Sequence, residues 1–175
     1  MGLVALLAIS NSVRSAQAAE EVTIADMQAA ARALGFLDNL PREGQIDVAI
    51  VYAARLRESK TQATQAAGWL NALPGPNKSQ FHTTIISVDN LVQSRDHLDA
   101  VFLLPGLSSD AAAIIEVTRR RHLVSISNDR VCLDANCCVL MVRAEDGVEI
   151  VLQTALADAV GAKFSTVFTM MVKRR

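Results

Sequence analysis

Charge of one sign, aromatic residues and long apolar runs are all scarce in this chain. Its 17 basic and 18 acidic residues leave a formal charge of −1, so the basic surplus of a nucleic-acid-binding surface is missing. Aromatics make up only 4% of the residues although 51% are hydrophobic. The core must therefore be built from Ala, Val, Leu and Ile, as in helices packed on a buried sheet. The apolar stretch Leu3 to Ile9 is too short to span a bilayer, which takes about 20 residues. No G-x-G, G-x-x-x-x-G-K-[ST] or G-x-S-x-G occurs, which leaves phosphate-loop and hydrolase-elbow chemistry without support. Catalysis is not expected, and no cofactor or metal is implied.

What the N-terminus does contain reads as a leader. Polar Asn11, Ser12, Arg14 and Ser15 follow the apolar stretch, then Ala16-Gln17-Ala18, an A-x-A processing site, although no Lys or Arg precedes the run. The expectation is an export signal over residues 1–18 and one periplasmic domain over residues 19–175. The alternative is a buried N-terminal helix. Loss of Arg14 with the leader leaves 16 basic against 18 acidic residues, a formal charge of −2. The remaining length supports one core without help from metals.

Along the chain, Ile24 to Leu37 has helical periodicity with Thr23 as a cap. Asn39 to Gly44 breaks it. Ile46 to Tyr52 (IDVAIVY) is a nearly continuous β-branched run, the mark of a strand covered on both faces. Ser59 to Leu73 is helical and stops at Pro74-Gly75-Pro76-Asn77. Further strands are expected at Phe81 to Val88, Ala100 to Leu104 and Leu123 to Ser127. A short helix or turn is expected at Asp89 to Asp96, and a helix at Ala111 to Arg121 capped by the preceding Ser and Asp residues. Val139 to Arg143 and Val148 to Leu152 flank Asp146-Gly147, a hairpin signal. Thr154 to Val160 is helical, and Phe164 to Lys173 closes the chain. Strands alternating with helices predict an α/β layered sandwich with a mostly parallel sheet.

In such sheets, crevices form at the carboxyl ends of the strands. Here those ends are Tyr52-Ala53-Ala54, Pro105-Gly106-Leu107-Ser108 and Ser127-Asn128-Asp129. Gly106 could let backbone N–H groups approach an anionic ligand, or Gly106 and Ser108 could simply make the turn and cap. The tail residues Phe164, Val167, Phe168, Met170 and Met171 are expected to be mostly core; any exposed part would suit an adaptable protein interface. Arg119-Arg120-Arg121 is read as the polar end of a helix, Lys173-Arg174-Arg175 as a solvated tail, and His122 as a packing residue. Asp134, Glu145 and Asp146 are read as solvated loop carboxylates.

All three cysteines, Cys132, Cys137 and Cys138, lie in one short loop. In an oxidising compartment two of them can form a local staple. Cys137 and Cys138 compete for Cys132, because a bond between neighbours would be strained. On extended backbone the two point opposite ways, so one is better aimed. Zinc is the rival reading, but four ligands are usual and the histidines have no ligand spacing to the cysteines.

Val124-Ser125-Ile126-Ser127-Asn128-Asp129, then Cys132 and Cys138-Val139-Leu140, resemble the C-terminal signature of the YfiR family of periplasmic proteins. The resemblance continues through Gly147-Val148-Glu149-Ile150-Val151, Ala155-Leu156-Ala157 and Val160-Gly161-Ala162-Lys163-Phe164 to Phe168-Thr169-Met170-Met171-Val172. Upstream, Asp47 to Tyr52 and Asp99 to Leu103 fit more loosely. The resemblance implies a Cys132–Cys138 disulfide with Cys137 as the extra thiol. Some family members carry a second disulfide, for which this chain has no cysteines.

The implied role is inhibition of an inner-membrane diguanylate cyclase through its periplasmic sensor region, which lowers cyclic di-GMP and restrains biofilm formation. The resemblance also admits an outer-membrane lipoprotein as partner, and the Ala- and Val-rich composition admits a homodimer. The alternative from another class is a small periplasmic solute-binding protein serving a transporter or sensor kinase.

Overall fold

The computed structural model describes residues 21–41 and 43–175. The export signal expected over residues 1–18 lies outside the described residues. The elements run α1 (Ile24–Leu34), β1 (Glu43–Tyr52), α2 (Ser59–Ala72), β2 (Lys78–Ser87), α3 (Val88–Gln93), β3 (Ala100–Leu103) and α4 (Ala111–Arg121). They continue as β4 (Val124–Ser127), α5 (Arg130–Asp134), β5 (Leu140–Arg143), β6 (Glu149–Leu152), α6 (Thr154–Val160), α7 (Thr166–Met171) and β7 (Lys173–Arg174). The strands form one seven-stranded sheet in the order β2-β1-β3-β4-β5-β6-β7. Every pairing is parallel except the β5–β6 hairpin. This is the α/β sandwich with a mostly parallel sheet that the alternating pattern predicts.

Strand β1 shows why its sequence is almost wholly apolar. Ile46, Val48 and Ile50 face a core shared with α1 and α2, while Ala49 and Val51 face a second core shared with α3 and α4. All five are at most 2% exposed. Each large side chain buried this way contributes roughly 1.5–3 kcal/mol. Any change that puts a polar group at either face removes that gain and adds a desolvation cost. Strands β1 and β2 begin earlier than their apolar runs, at Glu43 and Lys78, because the parallel ladder pairs them in register from Glu43–Lys78 to Tyr52–Ser87.

Thr23 caps α1 as expected. Its hydroxyl accepts the Asp26 N–H at 3.1 Å, and the Asp26 carboxylate accepts the Thr23 N–H at 2.9 Å, the reciprocal capping box. Asp26 is buried, and its carboxylate also accepts the Ala144 N–H at 2.9 Å. One acid therefore starts the first helix and holds the turn after β5.

Three helices end in the same hydrogen-bonded motif. At α4 the His122 N–H donates to Arg119 O and the Leu123 N–H to Thr118 O, with His122 at φ 56°. At α5 the Asn136 N–H donates to Leu133 O and the Cys137 N–H to Cys132 O, with Asn136 at φ 55°. Gly161 does the same for α6 at φ 72°, through Asp158 O and, one residue on, Ala157 O. This is the Schellman arrangement, which satisfies terminal carbonyls through one left-handed residue. His122 thus terminates α4, and its ring Nδ1 lies 3.3 Å from the Val160 carbonyl oxygen.

The second of these ends corrects the expected disulfide. Cys132 lies on α5, a helix that the sequence reading treated as loop, and it is bonded to Cys137, not to Cys138. The turn at Asn136 folds the chain back, so that Cys137 donates to the Cys132 carbonyl and the two Cα atoms lie 5.2 Å apart. That separation is within the range of ordinary disulfides. Cys138 is the free thiol and is fully buried in the second core.

No helix among the described residues is long and apolar enough to cross a membrane. The disulfide is of the kind that oxidising compartments preserve.

Candidate functional site

The carboxyl edge of the sheet gathers the residues that the crevice argument singles out. Ser127 ends β4 fully buried; its hydroxyl donates to Leu103 O at 2.8 Å and accepts the Asp129 N–H at 3.1 Å. Asp129 then caps α5, one carboxylate oxygen accepting the Val131 N–H at 2.8 Å. The other accepts the Gly106 N–H at 3.1 Å. Gly106 sits at φ 88°, a left-handed conformation that favours glycine. The N–H that might approach a ligand is donated to the chain's own carboxylate.

The loop after β1 covers the same spot. Arg55 donates to Gly106 O and, at 2.5 Å, to the Asp110 carboxylate. Leu56 lies so close that a Cβ on Gly106 would come within 2.5 Å of its Cδ1. The expected capping of α4 is corrected here. Asp110 occupies the cap position but makes no side-chain cap bond, because its carboxylate is turned toward Arg55 and Ser109. Ser108 lies half-buried in the single 3-10 turn Ser108–Asp110 and does not cap α4 either. Tyr52 is half-buried against the α1–α2 core. The structure therefore brings Gly106, Ser127 and Asp129 together as an internal lock, with Tyr52 and Ser108 at its margins. Beside it, buried Asn128 donates to Asp26 at 3.3 Å, while its side-chain oxygen has no hydrogen-bond partner among the described residues.

The C-terminal tail divides sharply. Phe168 is 1% exposed and stacks between Phe36 and Phe164, with ring centroids 5.0 Å away on either side. The Ser165 N–H donates to Phe36 O and the Asp38 N–H to Lys163 O, fastening the tail to the end of α1. Val167, Met170 and Met171 point outward instead, at 62%, 80% and 63% exposure. The expectation that this stretch is mostly core holds for Phe168 and in part for Phe164, but not for Met171. A six-residue helix anchored through Phe168 cannot bury its opposite side.

Beyond the helix, Lys173 and Arg175 are solvent-exposed, as expected, and ion-paired. Lys173 reaches Glu149 at 2.7 Å across the short β6–β7 pairing, and Arg175 reaches Asp134 of α5 at 2.7 Å. The hydrogen bond from Lys173, aided by the charges of Lys173, Arg130 and Arg143 and opposed by slight burial, holds the Glu149 carboxyl below its ordinary pKa. Burial, reinforced by the charge of Asp129, pushes the Cys138 thiol up to about 12.

Two further features lie at the opposite end of the molecule. A groove of about 510 Å³ runs between the end of α1 and the α2–β2 turn, lined by Gln28, Arg32, Phe36, Leu73, Pro74 and Pro76. On the other face, four polar side chains meet at the amino edge of the sheet. Asp47 of β1 is in register with His82 of β2, and their side chains approach to 2.9 Å. Asp99, just before β3, accepts the Asp47 N–H at 2.8 Å and lies 3.3 Å from His97.

Partial burial pushes the Asp47 carboxyl up, but hydrogen bonds from Gln45 and His82 and the charges of His82 and His97 outweigh it. The carboxyl is held below its ordinary pKa. Donor atoms of Asp47, His97 and Asp99 lie within 4.8 Å of one another, close enough to share a metal ion. Sequence reasoning missed this group because it tested the histidines only against the cysteines; parallel register, invisible in the linear pattern, assembles it.

No protein-family model matches the chain, and no curated protein matches it. Among solved structures it is similar to an ABC domain from Streptococcus pneumonia in complex with L-Trp, with a TM-score of 0.60 at 10% identity. The likeness covers 86% of this chain and 61% of that one, so the chain spans less than two thirds of the neighbour's length. At that identity the likeness is one of fold.

Proposed function

We propose that this domain is a non-catalytic periplasmic regulator that binds the periplasmic sensor region of a membrane-bound diguanylate cyclase and holds it inactive. The observation that carries the reading is the tail. A helix clamped by three stacked phenylalanines presents Val167, Met170 and Met171 to solvent. A rigidly mounted methionine-rich strip is the surface an adaptable protein interface uses. The carboxyl edge supports the same reading, since its donor is already occupied by Asp129. The resemblance of residues 124–172 to the YfiR family supplies the partner class, and the disulfide fits an exported protein. Inhibition then requires only that the domain bind the inactive cyclase more tightly than the active one.

The test has two arms. Deleting the protein raises cyclic di-GMP in the producing cell; an unchanged level where a membrane cyclase is co-encoded counts against the role. In purified material, Met170→Glu with Met171→Glu weakens binding to the cyclase sensor region by at least about 100-fold, the range of a lost hot spot, with an unchanged melting temperature.

A solute-binding role is the second reading, favoured by the groove beside Phe36. Its volume of about 510 Å³ falls within the usual ligand range, and the fold neighbour is an ABC domain solved with L-Trp. A thermal-shift screen with amino acids, nucleotides and vitamins separates the two. A large shift with no protein partner in pull-down reverses the ranking.

A further inference from the structure

We infer that the amino edge of the sheet is a binding site for a first-row divalent transition ion, with Asp47, His97 and Asp99 as ligands and His82 orienting Asp47. The first argument is topological. Asp47 pairs with His82 on β2, while Val48 pairs with Ala100 on β3, which sets Asp99 beside Asp47 on its other side. Residues level with one another on neighbouring strands project from the same face. Two mutual hydrogen bonds lock this: the Asp99 N–H donates to Asp47 O, and the Asp47 N–H to the Asp99 carboxylate, each at 2.8 Å.

The second argument is charge. The Asp99 side chain is 10% exposed and that of Asp47 27%, so two carboxylates are held together partly out of water. Placing two carboxylates together costs free energy, part of which the contacts of Asp47 with Gln45 and His82, at 2.7 and 2.9 Å, offset. For Asp99 the neighbouring imidazole serves poorly as a plain ion-pair partner, because the His97 side chain is 77% exposed and 3.3 Å away, and such pairs contribute little. A divalent ion neutralises both carboxylates at once.

The third argument is the donor set and its support. One imidazole with two carboxylates suits zinc and its neighbours, not calcium or magnesium, which take oxygen donors. Tetrahedral zinc places neighbouring donors about 3.4 Å apart. The three donors already lie within 4.8 Å, so rotation of exposed His97 closes the site, with water as a fourth ligand. Arg121 holds the loop that delivers His97, donating to Ser94 O and Asp96 O. His82, bonded to Asp47, fills the supporting position that metal-bound carboxylates usually have.

The experiment uses tag-free, chelator-dialysed protein titrated with zinc chloride against a chromophoric competitor. One ion binds per chain, and its binding raises the melting temperature. His97→Ala weakens binding by at least about 100-fold and His82→Ala by about tenfold, the range measured for supporting residues, while Glu149→Gln at the far side of the sheet leaves it unchanged. Because His97 is exposed, its variant keeps the metal-free melting temperature. Absence of stoichiometric binding, or wild-type affinity in His97→Ala, overturns the assignment.

Discussion

The two edges of the sheet are built from the same parallel strands and end in opposite states. At the carboxyl edge the groups that line the turn are answered from within the chain: Ser127 by Leu103 and Asp129, Gly106 by Asp129 and Arg55. At the amino edge two carboxylates and two histidines lean on one another, with the imidazoles largely in water. Helices begin above the carboxyl edge, and their caps and turn glycine consume donors there. Among the described residues no helix starts over Asp47 and Asp99, and their carboxylates are met by Gln45, His82, His97 and the Asp47 N–H. The edge where α/β folds most often bind ligands is the sealed one here, and the open chemistry lies opposite.

The largest effect should come from breaking the seal. Asp129→Ala removes the α5 cap and strands the part-buried Gly106 N–H, and should cost about 2–3 kcal/mol in urea unfolding. His82→Ala, the corresponding cut at the amino edge, should cost less than about 1 kcal/mol without metal. Comparable losses at the two edges would remove the contrast. Next, Cys132→Ser with Cys137→Ser should cost roughly 2 kcal/mol through loop entropy. Non-reducing peptide mapping should recover Cys132 linked to Cys137; recovery of a Cys132–Cys138 peptide would restore the family pairing.

The Cys138 thiol gives a finer probe of the sealed side. Because its pKa is raised to about 12 on folding, the stability it contributes is complete below the unfolded thiol's pKa and is lost as pH rises toward 12. Iodoacetamide should therefore label it only after unfolding, and Cys138→Ser should flatten the alkaline limb of a stability–pH curve. The smallest effect belongs to Glu149. Its lowered pKa means its contribution is present at neutral pH and fades as pH falls through the folded value. Glu149→Gln should slightly flatten the acid limb, less so in high salt.

Much of the fold was legible because it depends on local pattern. The run IDVAIVY announces a strand buried on both faces, Asp146-Gly147 announces the β5–β6 hairpin, and Thr23 announces the start of α1. The failures are equally particular. Asp110 looked like a helix cap, but Arg55, 55 residues away, claimed its carboxylate. Cys137 and Cys138 are neighbours that spacing could not separate. The deciding residue was Asn136, whose left-handed turn is a local signal that a reading of α5 as loop overlooks. The apolar residues of the tail read as mostly core, yet only a docking site at Phe36 could decide which side of α7 is buried.

By itself the chain determined most of its element types, its two-faced aliphatic core and its limited inventory of sulfur and imidazole, because periodicity and residue chemistry act over a few neighbours. Tertiary structure alone decided which sheet edge is sealed and which histidines meet carboxylates. Those outcomes follow from strand order and register, which bring residues together across tens of positions and are set by the free energy of the whole packed domain.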